Sequence, residues 1–111
     1  MSAKEEIREE KEVFGVYTHK FNTPVEYNGK QFDELSFDFT KLTGADAMNI
    51  EDELQAIGKP AFSPAMSSRY LTRMAAKACS APIGIDIFET MPLTDFEKIK
   101  NKARNFLLNV E

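Results

Sequence analysis

Apolar and polar residues alternate between the charged N-terminus and residue 40, which is the pattern of half-buried β-strands. Asn28-Gly29 lies at the centre of one such stretch, and both residues tolerate the positive φ that a two-residue type I′ turn requires. We therefore predict a β-hairpin that pairs Tyr27 with Lys30 and Val25 with Phe32.

The alternation continues after the hairpin with Leu35, Phe37 and Phe39, which predicts a strand buried on one face. Phe32 has the wrong parity to belong to that face, so we expect a bulge or break near Asp33-Glu34. Three upstream apolar positions could supply a further strand: Phe14, Val16 and Phe21.

Helical spacing replaces the alternation after residue 42. Thr43 followed by Asp46 resembles a capping box, and Gly58 is typical of the residue just beyond a helix end, so we predict a helix over residues 44–57. Its apolar face comprises Ala47, Ile50, Leu54 and Ile57.

Glycine, proline and serine in residues 58–66 predict a connection, with Phe62 holding it against the core. Ser67 or Ser68 then caps a second helix that ends near Ser80. The buried stripe of that helix is predicted to contain Tyr70, Leu71, Met74, Ala75 and Ala78.

Residues 85–91 predict a short helical turn that Pro92 ends. Thr94-Asp-Phe-Glu97 has the capping-box spacing of a hydroxyl and a carboxylate and predicts the start of a final helix. The apolar face of that helix comprises Phe96, Ile99, Ala103, Phe106, Leu107 and Val110. A small antiparallel sheet followed by three or four helices is an α+β fold.

A chain of 111 residues is one domain's worth, and its 42% apolar content suffices for a core. Ile7 is the only large aliphatic residue among eight charged residues in residues 4–12. We therefore expect residues 1–12 to form a flexible charged arm and residues 13–111 to form a single α+β domain.

The residue types that carry catalysis and metal binding are scarce. His19 is the only histidine and is predicted to lie on the surface of a strand; Cys79 is the only cysteine and is predicted to be a buried structural thiol. Glu51-Asp52-Glu53 lies within a helical pattern and is interpreted as a solvated helix face. We expect no enzyme activity, no cofactor and no metal site.

Charge and hydropathy restrict the partners. The net charge is −4, made up of −6 in residues 1–66 (7 basic, 13 acidic) and +2 in residues 67–111 (7 basic, 5 acidic). An acidic chain is a poor nucleic-acid binder, and the basic residues from Lys98 to Arg104 are interpreted as a solvated helix face. No stretch of 18 apolar residues and no basic, apolar leader occurs, so we expect a cytoplasmic protein without a membrane span.

Three segments carry a resemblance to a known family. They are Tyr27-Asn-Gly-Lys leading into Leu35-Ser-Phe-Asp-Phe, then Lys41-Leu-Thr-Gly-Ala-Asp46, and finally Met91-Pro-Leu-Thr-Asp-Phe-Glu-Lys98 leading into Ala103-Arg-Asn-Phe-Leu-Leu108. Their order resembles that of the small tail assembly chaperones of long-tailed bacteriophages and prophages.

The resemblance implies a non-enzymatic protein that binds the tape-measure protein, helps to recruit tail-tube subunits and is absent from the mature virion. Apolar contact with the client is then expected, with Tyr70, Phe88 and Met91 as candidate partner-binding residues. The final helix could also pack against a second copy of the chain.

Two other hypotheses belong to different functional classes. The chain could be a structural subunit of the phage tail or its junction, which would remain in the particle. It could also be a small acidic regulator that binds a host protein. Gene neighbourhood and virion content discriminate among the three.

Overall fold

The computed structural model describes residues 13–110 and has an α+β fold, as predicted. The predicted arm at residues 1–12 lies outside the described residues, as does Glu111. The strands are β1 (Val16–Tyr27) and β2 (Lys30–Asp38), and the helices are α1 (Gly44–Ala56), α2 (Ser68–Ala78), α3 (Asp86–Thr90) and α4 (Leu93–Leu107). Short 3₁₀ turns at Phe39–Lys41 and Pro64–Met66 precede α1 and α2.

The hairpin has the predicted turn and register. Asn28 and Gly29 adopt φ values of 53° and 79°, and Tyr27 pairs with Lys30 and Val25 with Phe32. The Tyr27 hydroxyl donates to Asp86 Oδ1 (2.8 Å) and accepts from the Gly84 amide (3.1 Å), which attaches the end of the hairpin to the start of α3. The hydrogen bond to Asp86 is the main reason why the pKa of Tyr27 is raised.

The register break occurs at the predicted site in β2, and it takes up more residues of β1 than of β2. Regular pairing resumes at Lys20 and Glu34, so four residues of β1 (21–24) face a single residue of β2, Asp33. The break lets Phe32 and Leu35, which differ in parity, both pack toward the core, as predicted. Tyr17, His19 and Phe21 lie on the same face of β1 as Val25 and Tyr27, toward the core, while Val16, grouped with Phe21 in the prediction, is exposed.

The predicted helix α1 is confirmed to within one residue, because its end signals are local. The Asp46 carboxylate accepts from the Thr43 amide at 2.8 Å, and Gly58 adopts a φ of 73° just beyond the helix. Ile50 and Leu54 are buried, whereas Ile57, predicted on the same face, is half exposed because the helix has already ended there.

Helix α2 lies at the centre of the fold. Ser67 Oγ accepts from the Tyr70 amide (3.1 Å), and the whole predicted stripe of this helix is buried. The helix packs on α4 and α1, and the chain after it reaches β2, where the Ser80 amide donates to Ser36 O (2.9 Å). Sheet and helices therefore share one core, whose largest fully buried side chains are Leu35, Phe37, Phe39, Ile50, Leu54, Leu71, Ile87 and Ile99.

Two local predictions are wrong. Helix α4 begins at Leu93 after Pro92, so Thr94 lies inside the helix and does not cap it, and Glu97, the carboxylate of the predicted capping box, accepts from Lys100 Nζ at 3.0 Å instead. Phe62, predicted to hold the connection to the core, is 96% exposed. Within residues 13–110, no helix is both long enough and apolar enough to cross a membrane.

Candidate functional site

His19 lies inside the protein and not on its surface as predicted. It is 2% exposed, and both ring nitrogens have partners: Nδ1 lies 2.7 Å from the Tyr17 hydroxyl and Nε2 lies 2.7 Å from Asp95 Oδ1. His19 has the same parity as Val25 and Tyr27, which the hairpin places on the buried face, so the alternation along β1 was the signal that could have placed it inward.

The hydrogen bonds of His19 to Tyr17 and Asp95 join parts of the molecule that are distant in sequence. With the proton on Nε2, His19 donates to the Asp95 carboxylate and accepts from the Tyr17 hydroxyl, so every polar atom of a neutral ring is satisfied. Phe21 packs edge-on against the ring at 4.8 Å. A histidine enclosed on all sides lacks the substrate access that general base catalysis requires, so the geometry is that of a link between β1 and α4.

Cys79 is buried, as predicted, at the end of α2. Desolvation raises the pKa of its thiol, and the backbone amides of Ala81 and Ser80 and the charge of Lys41 only partly oppose that effect. The thiolate is the nucleophilic form, so a raised pKa makes this cysteine a poor nucleophile near neutral pH. In residues 13–110, no three His, Cys, Asp or Glu side chains are arranged to hold a metal ion.

An open groove runs along the outer side of α2. Two cavities of about 500 Å³ and 210 Å³ share Arg73 and Ile85 in their linings, and we call the combined feature the α2 groove. One wall is helix α2, and the opposite wall is the segment 83–96, which includes α3 and the first turn of α4. The apolar side chains of the groove are Ile83, Ile85, Phe88, Met91, Leu93 and Phe96.

The rim of the groove is charged and asymmetric. Arg69, Arg73 and Lys77 line the α2 wall, whereas Glu89 lines the opposite wall. Glu53 of α1 borders the smaller cavity, 3.4 Å from Arg73 Nε and 3.7 Å from Lys77 Nζ. Since Glu53 remains half exposed, these ion pairs are accessible to water and to a competing carboxylate.

The three candidate partner-binding residues lack the exposure that a surface contact requires. All are buried: Tyr70 is 4% exposed, Phe88 3% and Met91 6%. Tyr70 belongs to the core, where desolvation raises its pKa. Phe88 and Met91 line the floor of the α2 groove, so a partner could reach only their outer edges.

The most exposed apolar side chain of the groove was not among the sequence candidates. Leu93 is 70% exposed and lines the groove at the first turn of α4. Its position directly after Pro92, in the first turn of a helix and ahead of the buried stripe, was the available signal. Phe62 and Met66 are also largely exposed but do not line the groove.

A further cavity, of about 460 Å³, lies outside the α2 groove, where residues 13–17 meet α4. Val13, Phe14, Val16, Phe106 and Val110 provide its apolar lining, and Phe14 and Phe106 pack with ring centroids 5.5 Å apart.

Comparisons with protein-family models, with curated proteins and with solved structures returned no match for this chain.

Proposed function

We propose that this chain is a non-enzymatic tail assembly chaperone of a long-tailed bacteriophage or prophage. It binds the tape-measure protein in the host cytoplasm and assists assembly of the tail tube around it. The observation that carries the proposal is the α2 groove, which combines an apolar floor with an exposed leucine and a charged rim. The resemblance of the three sequence segments supplies the identity of the client.

The groove fits the physical task of a chaperone. A long helical client exposes apolar stripes until its tube surrounds it, and an apolar groove bordered by charges can cover one such stripe. Phe88 and Met91 supply a preformed floor, and Leu93 supplies an exposed side chain for direct contact.

The small size of the groove favours reversible binding. Cavities of about 500 Å³ and 210 Å³ admit a few side chains, which is far less contact than permanent complexes bury. Moderate affinity is what the proposed function requires, because polymerising tube subunits must displace the chaperone.

Co-expression with the tape-measure protein of the same genome tests the proposal. We expect the tape-measure protein to become soluble and to co-purify with the native chain. Leu93→Glu should reduce recovery, because it places a charge in the apolar groove, while an acidic residue in the first turn suits the helix dipole and leaves folding intact. Met66→Glu is the matched control, since Met66 is as exposed as Leu93 and also lies near the N-terminus of a helix, α2, but does not line the groove.

Two results would contradict the proposal. A folded native chain that leaves its tape-measure protein insoluble and unbound would remove the chaperone function. Mass spectrometry that finds the chain in stoichiometric amounts in purified virions would favour a structural tail subunit.

A further inference from the structure

The basic wall of the α2 groove has a regular spacing. Arg69, Arg73 and Lys77 follow one another every four residues along α2, and all three line the groove. Four residues of an α-helix rise about 6 Å, so the three cations form a ladder with roughly one rung per turn.

Two of the three cations of this ladder already have an ion-pair partner in the described part of the chain, and the first, Arg69, does not. Arg73 and Lys77 share the half-exposed carboxylate of Glu53. Arg69 is exposed, and within residues 13–110 its guanidinium has no ion pair. A further anion would therefore first meet the charge of Arg69 and could then compete with Glu53 for Arg73.

A second α-helix laid along α2 matches this ladder. Carboxylates at every fourth position of such a helix repeat with the same rise of about 6 Å, so each can face one rung. The apolar side chains of the same helix, spaced three and four residues apart, would then point to Phe88, Met91, Leu93 and Phe96.

We infer that the α2 groove receives an amphipathic helix of a partner protein that carries acidic residues along the flank facing α2. The opposite flank faces Glu89 and is neutral or basic. This inference rests on the proposed function in one respect, namely that the chain acts by binding another protein, and it adds the chemical class of the segment that is bound.

Charge complementarity selects this occupant over a second copy of the chain. Among residues 13–110, the helix with the most acidic residues is α1, and its Ile50 and Leu54 are buried in the chain's own core, which leaves Met48 as the exposed large apolar residue of that helix. Helix α1 therefore lacks the free apolar stripe that the floor of the groove requires.

Three synthetic helices test the inference with the full chain. Each peptide has the same leucine stripe and a glutamine flank, and the other flank carries glutamate, glutamine or lysine at every fourth position. Fluorescence anisotropy should rank their affinities glutamate, glutamine, lysine, with steps of roughly fivefold, as expected for exposed ion pairs. The preference should shrink as ionic strength rises.

Protein variants identify the surface. Arg69→Glu should weaken binding of the glutamate peptide by roughly tenfold and strengthen binding of the lysine peptide, because it reverses one rung of the ladder. Lys59→Glu makes the same charge change in an exposed connection outside the groove and should leave both affinities unchanged.

The outcomes separate this inference from the proposed function. Equal affinity for the three peptides overturns the inference, and so do peptide affinities that Arg69→Glu leaves unchanged. Self-association of the chain that Leu93→Glu abolishes also overturns it. If the chain solubilises its tape-measure protein but ignores the glutamate peptide, the proposed function stands and the inference fails. If the peptide binds as expected but the tape-measure protein does not, the inference stands and the proposed function fails.

Discussion

His19 shows how one buried polar residue can join elements that are far apart in sequence. It hydrogen-bonds to Tyr17 in its own strand and to Asp95, 76 residues away, while only 2% of its surface is exposed. A buried polar group stabilises a fold only when its partners are present, so the three side chains depend on one another.

Replacing His19 should destabilise the protein. His19→Leu removes the shared partner of Tyr17 and Asp95, and we expect the free energy of unfolding to fall by about 1–3 kcal/mol, the usual cost of breaking a buried hydrogen bond. Urea unfolding measures the change. Thr18→Val, at the exposed neighbouring position, should change the free energy by no more than about 0.5 kcal/mol. Equal changes in the free energy of unfolding at the two positions would show that the hydrogen bonds of His19 do not stabilise the fold.

Cys79 should react slowly with thiol reagents in the native protein. Burial raises the pKa of its thiol, so at a given pH the folded chain holds less thiolate than the unfolded chain. The midpoint of the rate against pH should therefore lie higher for the native chain than for the chain in denaturant. Iodoacetamide labelling followed by mass spectrometry measures both profiles, and coinciding profiles would contradict the raised pKa.

Helix ends show what a local pattern predicts well and where tertiary contacts override it. Three helix starts have a hydroxyl residue in capping position by sequence: Thr43 before α1, Ser67 before α2 and Thr94 near the start of α4. Ser67 accepts a backbone hydrogen bond, whereas α4 begins at Leu93, ahead of Thr94. Glu97, the carboxylate of the predicted capping box, accepts from Lys100, and the neighbouring Asp95 contacts His19.

Alanine substitution should distinguish Ser67 from Thr94. Ser67→Ala removes the cap of α2 and should lower the free energy of unfolding by about 1 kcal/mol. Thr94→Ala changes an exposed residue inside a helix and should have an effect within about 0.5 kcal/mol of zero. Thermal or urea denaturation measures both, and a larger loss for Thr94→Ala would restore the capping motif predicted from the sequence.

At the scale of the whole molecule, α2 and α4 connect the sheet to the helices through one core. Helix α2 packs on α1 and α4, and its C-terminal end meets β2. Ile99 and Leu107 both belong to the predicted apolar face of α4, yet Ile99 is fully buried and Leu107 is 40% exposed. Helical spacing assigns them to the same face, but only the packing of the other elements decides which of them is covered.

Shortening these two side chains should have unequal effects. Ile99→Ala leaves a cavity in the common core and should lower the free energy of unfolding by about 2–5 kcal/mol, whereas Leu107→Ala should cost less than about 1 kcal/mol. Urea unfolding followed by circular dichroism and by tyrosine fluorescence measures both changes. Coinciding transitions in the two signals would indicate cooperative unfolding of sheet and helices together, and separate transitions would contradict a shared core.

The sequence by itself determined the features that depend on neighbours a few residues apart. Asn28-Gly29 set the turn and the register beside it, Thr43, Asp46 and Gly58 delimited α1, and the buried stripe of α2 followed from its spacing. Turn conformation, capping and helical periodicity are local properties, so short segments contain the information needed to predict them.

Only the tertiary structure decided the features that depend on contacts between distant elements. The hydrogen bond between His19 and Asp95 joins residues 76 positions apart, and the exposure of Phe62 and Leu93 depends on which surfaces the helices leave uncovered. The α2 groove likewise exists because the segment 83–96 packs beside α2 without covering its basic side. Burial is a property of the assembled molecule, so apolar spacing predicts which residues can be buried but not which of them remain free to meet a partner.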